Sequence, residues 1–168
     1  MAKYLQYYVE GECEKKLISA FQHVEEGGFK IGKIEIINPA TKEITKLRIA
    51  QLKNDTAVAL VYDVDYINEK IIERNIANLR SNKNVKEIYH IQSINNFEDE
   101  IKYSTKVKNI NDIFSTKSSN EFKNKFISHP DIVHKLRNID FSIKLIWSRN
   151  TDKCKFLNQG DKIKHEIK

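Results

Sequence analysis

Apolar and polar residues follow each other along the first hundred positions in two rhythms, one typical of strands and one typical of helices. Runs of β-favouring or apolar residues at positions 4–9, 33–37, 57–62 and 86–91 predict four strands. The run at 57–62 is almost continuously apolar, which predicts a strand buried on both faces in the centre of the sheet.

Between these strands, apolar residues at helical spacing predict three helices. The first helix closes at Gly27-Gly28, and its apolar face consists of Leu17, Ile18, Phe21 and Val24. The second spans residues 41–54, is capped by Thr41, and buries Ile44, Leu47 and Leu52. The third buries Ile67, Ile71, Ile72 and Leu79. The βαβαβαβ order predicts an α/β fold in which helices flank a four-stranded, mainly parallel sheet.

Beyond Asn95 the pattern changes to short helical segments, predicted at residues 97–107, 118–128 and 131–138. Ser118 and Glu121 have the spacing of a capping box at the start of the second segment. Residues 149–168 lack periodicity and are expected to form a loose, disordered basic tail. We therefore divide the chain into a core of residues 1–100, a basic helical extension of the same domain at 101–148, and this tail.

Charge is distributed unevenly along the 168 residues, which suffice for one domain with a sizeable core. Residues 1–100 carry 14 Lys and Arg against 16 Asp and Glu, whereas residues 101–168 carry 15 against 7. An acidic first part and a basic second part suit a protein that gathers metal ions with one and phosphates with the other. Solvated lysines of a lysine-rich proteome are the alternative interpretation.

The cysteine content and the absence of long apolar runs indicate the compartment. Two cysteines, Cys13 and Cys154, are too few for a disulfide framework, which favours a reducing environment. No stretch reads as a signal peptide or approaches the ~20 apolar residues of a membrane span. We expect a soluble cytoplasmic protein without a membrane partner.

Acidic residues follow two of the predicted strands. Glu10 ends the first strand and is followed by Glu14, and Asp63 and Asp65 end the central one. Ligands of open parallel sheets bind beyond the carboxyl ends of the strands, so these acids are expected to converge if the two strands are neighbours. Crowded carboxylates are tolerated mainly around a divalent cation, and hard oxygen ligands select Mg²⁺ or Mn²⁺.

A structural interpretation of the same acids stays open. Glu12 and Glu14 are also ordinary acidic residues for the first turn of a helix, where they complement the helix dipole. A solvated turn would equally accommodate Asp63 and Asp65.

Glu10-Gly11 after a first strand and Asp63-x-Asp65 after a third resemble the motifs of the TOPRIM domain. This domain occurs in topoisomerases, bacterial primases, OLD-family nucleases and small maturation ribonucleases. Residues 9–14 are most similar to OLD-family and RloB-like nucleases, whose motif carries a second glutamate four residues after the first, here Glu14. The resemblance covers roughly residues 3–100 and implies a TOPRIM-like (Rossmann-like) sheet. The helical segments that follow would form a small C-terminal extension of it.

The resemblance also implies roles for individual residues. It implies metal binding by four acids, namely Glu10, Glu14, Asp63 and Asp65. Three of them, Glu10, Asp63 and Asp65, would also be catalytic. Phe97-Glu98 is similar to the Phe-Glu element of RloB-like proteins and nominates Glu98 as a ligand or base, with Asp99 and Glu100 as alternatives. OLD-type nucleases place a lysine at the reaction centre, for which Lys117 is the candidate. Tyr66 departs from the pattern, since many relatives have a small or polar residue there.

The function implied is metal-dependent hydrolysis of phosphodiester bonds in DNA or RNA, that is, a nuclease. Lysines of the basic part, Lys117, Lys123 and Lys125, are expected to bind backbone phosphates. Related proteins are linked to phage defence or mobile elements, frequently beside an ATPase. Because this chain carries no P-loop pattern, such an ATPase would be a separate polypeptide.

Two other functions fit the same sequence. One is a non-catalytic module that binds nucleic acid or protein within a larger complex, with acids that serve only structure. The other is a phosphotransfer or nucleotide-binding enzyme of the doubly wound class, since acids at strand ends serve those enzymes as well. The sequence leaves open DNA against RNA and the oligomeric state, a homo-oligomer included.

Overall fold

The computed structural model describes residues 2–23, 30–163 and 165–168, without the side chains of residues 22, 23, 31 and 165. Its strands are β1 (Tyr4–Val9), β2 (Phe21–His23), β3 (Lys30–Ile36), β4 (Thr56–Asp63), β5 (Val85–Ser93) and β6 (His165–Ile167). Four of them form one sheet in the order β3-β1-β4-β5, in which every neighbouring pair is parallel. The predicted α/β fold with a four-stranded parallel sheet is confirmed.

The helices are α1 (Glu12–Ser19), α2 (Lys46–Ala50), α3 (Glu69–Arg80), α4 (Phe97–Tyr103), α5 (Ser119–Ser128) and α6 (Ile132–Asn138). Polar side chains cap most of their N-termini by accepting a backbone N–H bond. Ser118 caps α5 as predicted, whereas the Glu121 carboxylate accepts from the N–H of Lys117 instead of that of Ser118. No helix of the described residues is long and apolar enough to cross a membrane.

Strand β4 lies between two apolar clusters, one on each face of the sheet, and its residues from Thr56 to Tyr62 are all buried. Ala57, Ala59 and Val61 face one apolar cluster, which also contains residues of α1, α4, α5 and α6. The alternate residues Val58, Leu60 and Tyr62 face a second cluster with residues of α2 and α3. The alternation follows from the period of two along a strand, and it places helices on both faces of the sheet.

The first predicted helix is shorter than expected. Helix α1 ends at Ser19, and Phe21 lies in β2, which pairs antiparallel with β6 near the end of the chain. A strand partner more than a hundred residues away therefore overrides the helical spacing of Phe21. Val24 and Gly27-Gly28, which the prediction also used, lie outside the described residues.

The second predicted helix was wrong in one buried position and in both bounds, since it ends at Ala50 and not at Asn54. It begins after Thr45, not Thr41, and Leu47 is 69% exposed. The buried amide of Asn75 on α3 accepts from the N–H of Ile44 (2.8 Å) and donates to the carbonyls of Pro39 (2.9 Å) and Lys42 (2.8 Å). These bonds hold residues 39–44 as a loop.

The C-terminal residues are packed, contrary to the expected loose tail. The Phe156 ring stacks on His90 with 4.5 Å between ring centroids, and Gly160 is buried. Gln92 of β5 donates its amide to the carbonyl of Phe156 at 2.7 Å. Together with β6, these contacts fasten the end of the chain to the sheet, through partners that hydrophobic periodicity does not reveal.

Candidate functional site

The candidate site lies where β1 and β4 end. The two strands are neighbours, with Val9 opposite Val61, so Glu10 and Asp63 reach the same edge of the sheet. A Glu10 carboxylate oxygen, Oε2, accepts a hydrogen bond from the backbone N–H of Asp63 at 3.0 Å. The predicted neighbourhood of these two strand ends is confirmed.

Asp63 is the most perturbed acid of the group. Its Oδ1 atom is buried and has no hydrogen-bond partner within the described part of the chain. Burial, followed by the charges of Glu10 and Glu14, raises the pKa of Asp63 from 3.8 to about 8. The hydroxyl of Ser93, opposite Asp63 on β5, acts in the other direction and lowers this pKa. The structure therefore holds this carboxyl at a position where its charged form is disfavoured.

Glu10 and Glu14 lie beside Asp63 and share its environment. Glu14 is 4% exposed, and its Oε2 accepts from the backbone N–H of Gly11 at 2.9 Å, which caps α1. Burial raises the pKa of both glutamates, and the Glu10 charge raises that of Glu14 further. The charge of Asp65 acts on Glu10 in the same sense, so all four acids are electrostatically coupled.

A lysine and a further glutamate complete the group. Nζ of Lys123, on α5, lies 3.3 Å from Oε1 of Glu98, the second residue of α4. The other oxygen of Glu98 is buried and without a partner in the described ranges. Burial alone would lower the pKa of Lys123, but the Glu98 carboxylate more than offsets it and the pKa is raised. Lys123 also lowers the pKa values of Glu10 and Glu14, so its positive charge acts on this cluster.

Sequence reasoning missed two residues of this site, Cys13 and Ser93. Cys13 is buried, and burial together with the Glu14 charge raises the pKa of its thiol to about 12. Its place on α1, three residues after Glu10, was the available signal. Ser93 ends β5 beside Asp63, and a polar residue at the end of a predicted strand next to the acidic strand was the signal there.

Asp99 and Glu100, the alternatives to Glu98, have other partners. Asp99 accepts from the side-chain amide of Asn95 at 2.8 Å. Glu100 is fully buried and forms an ion pair with Arg149 at 2.5 Å. Of the three acids, Glu98 is the one that pairs with Lys123.

The three lysines nominated from the sequence, Lys117, Lys123 and Lys125, differ in their position relative to the candidate acids. Lys117 is exposed before α5, and its backbone N–H bonds Glu121 at 2.8 Å. Lys125 is exposed on α5, two residues from Lys123 and thus on a different face of the helix. Within the described residues, Lys123 and not Lys117 forms an ion pair with a candidate acid.

Asp65 is exposed, and it lines a cavity of about 290 Å³ whose wall contains none of Glu10, Glu14, Asp63 and Glu98. Across residues 2–23, 30–163 and 165–168, no three or more His, Cys, Asp or Glu side chains are grouped so that they hold one metal ion together. The chain matches no family model, no curated protein and no solved structure.

Proposed function

We propose that this protein is a Mg²⁺- or Mn²⁺-dependent phosphodiesterase that cleaves DNA or RNA at the carboxyl ends of β1 and β4. Glu10, Asp63 and Asp65 hold the metal, with Glu14 and Glu98 as further oxygen ligands. The observation that carries the proposal is Asp63, a carboxyl with a buried, unpartnered oxygen and a pKa of about 8 next to two further carboxylates.

The donor set suits a hard divalent cation. Glu10, Glu14, Asp63 and Asp65 offer carboxylate oxygens, which are the ligands that Mg²⁺ and Mn²⁺ prefer. Two carboxylate oxygens, on Asp63 and Glu98, are buried without partners among the described residues, and a cation would satisfy both the charge and the missing bonds. Joint coordination requires the side chains to turn towards each other, and the exposure of Asp65 leaves room for this.

The chain's own residues then bind and orient the substrate. When bound, the metal supplies Lewis-acid stabilisation of the phosphoryl oxygens. Lys123 offsets negative charge on the phosphate, since it already lowers the pKa values of the acids around it. The oxygen of Glu98 that has no hydrogen bond in the described residues serves either as a metal ligand or as the base that accepts a proton from the attacking water. Lysines of the basic second part, Lys117 and Lys125 included, contact flanking phosphates, which makes binding salt-dependent.

Metal titration followed by a cleavage assay tests the proposal. Mn²⁺ should raise the melting temperature of the wild-type chain and start cleavage of labelled DNA or RNA. Glu10→Gln and Asp63→Asn should abolish both effects, whereas Asp161→Asn, at an exposed aspartate away from the cluster, should keep them. Normal cleavage by both site variants would show that the acids are not catalytic.

The second candidate is a non-catalytic module that binds nucleic acid or protein. It is favoured by the hydrogen bonds of Glu10 and Glu14, which both accept from backbone N–H groups as structural acids do. Such a module would bind nucleic acid equally with and without Mn²⁺ and would cleave nothing. A role in phage defence beside a separate ATPase stays an expectation from the TOPRIM resemblance.

A further inference from the structure

A cavity of about 290 Å³ lies between the loop that follows β4 and the C-terminal segment 153–156. Its wall includes Val64, Asp65, Ile67, Lys153, Cys154 and Phe156. The cavity adjoins the candidate site through Asp65, which belongs to its wall and follows Asp63 by two residues. A ligand group inside it would therefore be next to whatever the acids bind.

The C-terminal wall of this cavity is held in place by side chains of the sheet and of α3. The amide of Gln92 donates to the carbonyl of Phe156 at 2.7 Å and contacts Sγ of Cys154 at 3.2 Å. Phe156 is stacked on His90 with parallel rings, and the Lys155 ammonium pairs with acids of α3. The cavity is thus a built feature of the fold.

The lining matches one nucleotide. Val64, Ile67 and Phe156 provide apolar surface for a flat base. The polar groups of the wall are two carboxylates and two ammonium groups, on Asp65, Glu69, Lys153 and Lys155. Small-molecule sites span roughly 300 to 1,000 Å³, so this cavity lies at the lower limit and suits a single base rather than a stretch of duplex. Lys153 is exposed at the rim, where a backbone phosphate would pass.

We propose that this cavity binds an unpaired nucleobase adjacent to the phosphodiester on which the acidic cluster acts, so that the substrate is single-stranded nucleic acid or an unpaired loop. The inference rests on the proposed function for its chemistry, but base binding itself requires no cleavage. A paired base has to leave its stack before it enters such a cavity, which disfavours duplex.

Binding of short labelled oligonucleotides to the full-length Asp63→Asn variant, measured by fluorescence anisotropy, tests base capture separately from catalysis. The single strand should bind at least about tenfold more tightly than the fully paired duplex of the same sequence, as expected where one base is captured. A single abasic position moved along the strand should weaken binding by a similar factor at one register. Equal binding of duplex and single strand, or indifference to every abasic position, would overturn the base pocket.

A cavity-filling variant tests whether the base binds in this cavity. Ile67→Trp should reduce single-strand binding by about tenfold and remove the sensitivity to the abasic position, because the base no longer enters. Leu47→Trp, at an exposed residue of α2, is the matched control and should bind like the parent. Circular dichroism checks that both variants are folded, and retained abasic sensitivity in Ile67→Trp would contradict the assignment. Base capture without any Mn²⁺-dependent cleavage by the wild-type chain would keep the pocket and reject the nuclease.

Discussion

Two carboxylates with buried oxygens are treated in opposite ways in this protein. Glu100 is fully buried, and both of its oxygens are bonded: Oε1 accepts from the N–H of Ile94 at 2.9 Å and pairs with Arg149, and Oε2 accepts from the N–H of Trp147 at 3.1 Å. Asp63 has a buried oxygen with no partner in the described ranges, and the charges of Glu10 and Glu14 raise its pKa further above the value that burial gives.

The difference separates a structural acid from a candidate functional one. Burying a charge costs free energy unless hydrogen bonds and an opposite charge compensate for it. Glu100 has this compensation, so it joins α4 to the segment around Trp147. Asp63 has an oxygen without a hydrogen bond among the described residues, and the charge of Lys123 does not offset the rise of its pKa, so protonation or a bound cation would complete the compensation. Burial alone therefore does not nominate a functional acid, and the missing partner is what makes Asp63 a candidate.

The largest change in the free energy of unfolding is expected when the structural acid, Glu100, is removed. Glu100→Ala leaves Arg149 without its partner and two backbone N–H groups without an acceptor, so the free energy of unfolding should fall by about 3 to 5 kcal/mol. Urea denaturation measures the loss. Asp99→Ala is the neighbouring control and should cost no more than about 1 kcal/mol, since Asp99 bonds the exposed Asn95. A loss for Glu100→Ala as small as that of the control would show that the ion pair is dispensable.

The contrast between these acids was only partly predictable from sequence. Glu10 and Asp63 were predictable because each ends a strand with a clear apolar pattern, and parallel neighbours end at the same edge. The separate roles of Glu98 and Glu100 were not, because the partner of Glu100 is Arg149, 49 residues further on. Local pattern identifies strands, but it does not say which distant cation reaches which acid.

The errors in the fold have the same origin. The four sheet strands follow from local runs of apolar residues, and all four are present. The start of α2 depends instead on Asn75, which holds the preceding loop from α3, and the end of α1 depends on β6. In both cases, contacts distant in sequence compete with helical spacing and prevail.

Removing the charge of Asp63 should change the free energy of unfolding in the opposite direction, so it sharpens the comparison with Glu100. Because folding raises the pKa of Asp63 from 3.8 to about 8, the folded state binds the proton more tightly, and stability should fall as pH rises between these values. Asp63→Asn should reduce this decline and stabilise the chain above pH 8 by about 1 to 3 kcal/mol.

Urea denaturation across this pH range, with a chelator present, measures the effect. Asp161→Asn should follow the wild-type curve, since Asp161 is exposed. Asp63→Asn with an unchanged pH dependence would mean that Asp63 is well solvated and that its contrast with Glu100 is false.

In the number of partners of its oxygens, Glu98 lies between Asp63 and Glu100. Substitution of its partner Lys123 gives the test with the smallest expected change in stability. One oxygen of Glu98 contacts Lys123 at 3.3 Å and the other has no partner among the described residues. Because the Lys123 side chain is 44% exposed, Lys123→Met should change the free energy of unfolding by no more than about 1 kcal/mol.

Cleavage by Lys123→Met should fall much further, by about tenfold or more, if Lys123 offsets charge on the phosphate. Lys125→Met, on another face of α5, should leave stability unchanged and weaken cleavage only slightly. Equal cleavage by the two variants would mean that Lys123 serves Glu98 alone, and would place Glu98 with Glu100 among the structural acids.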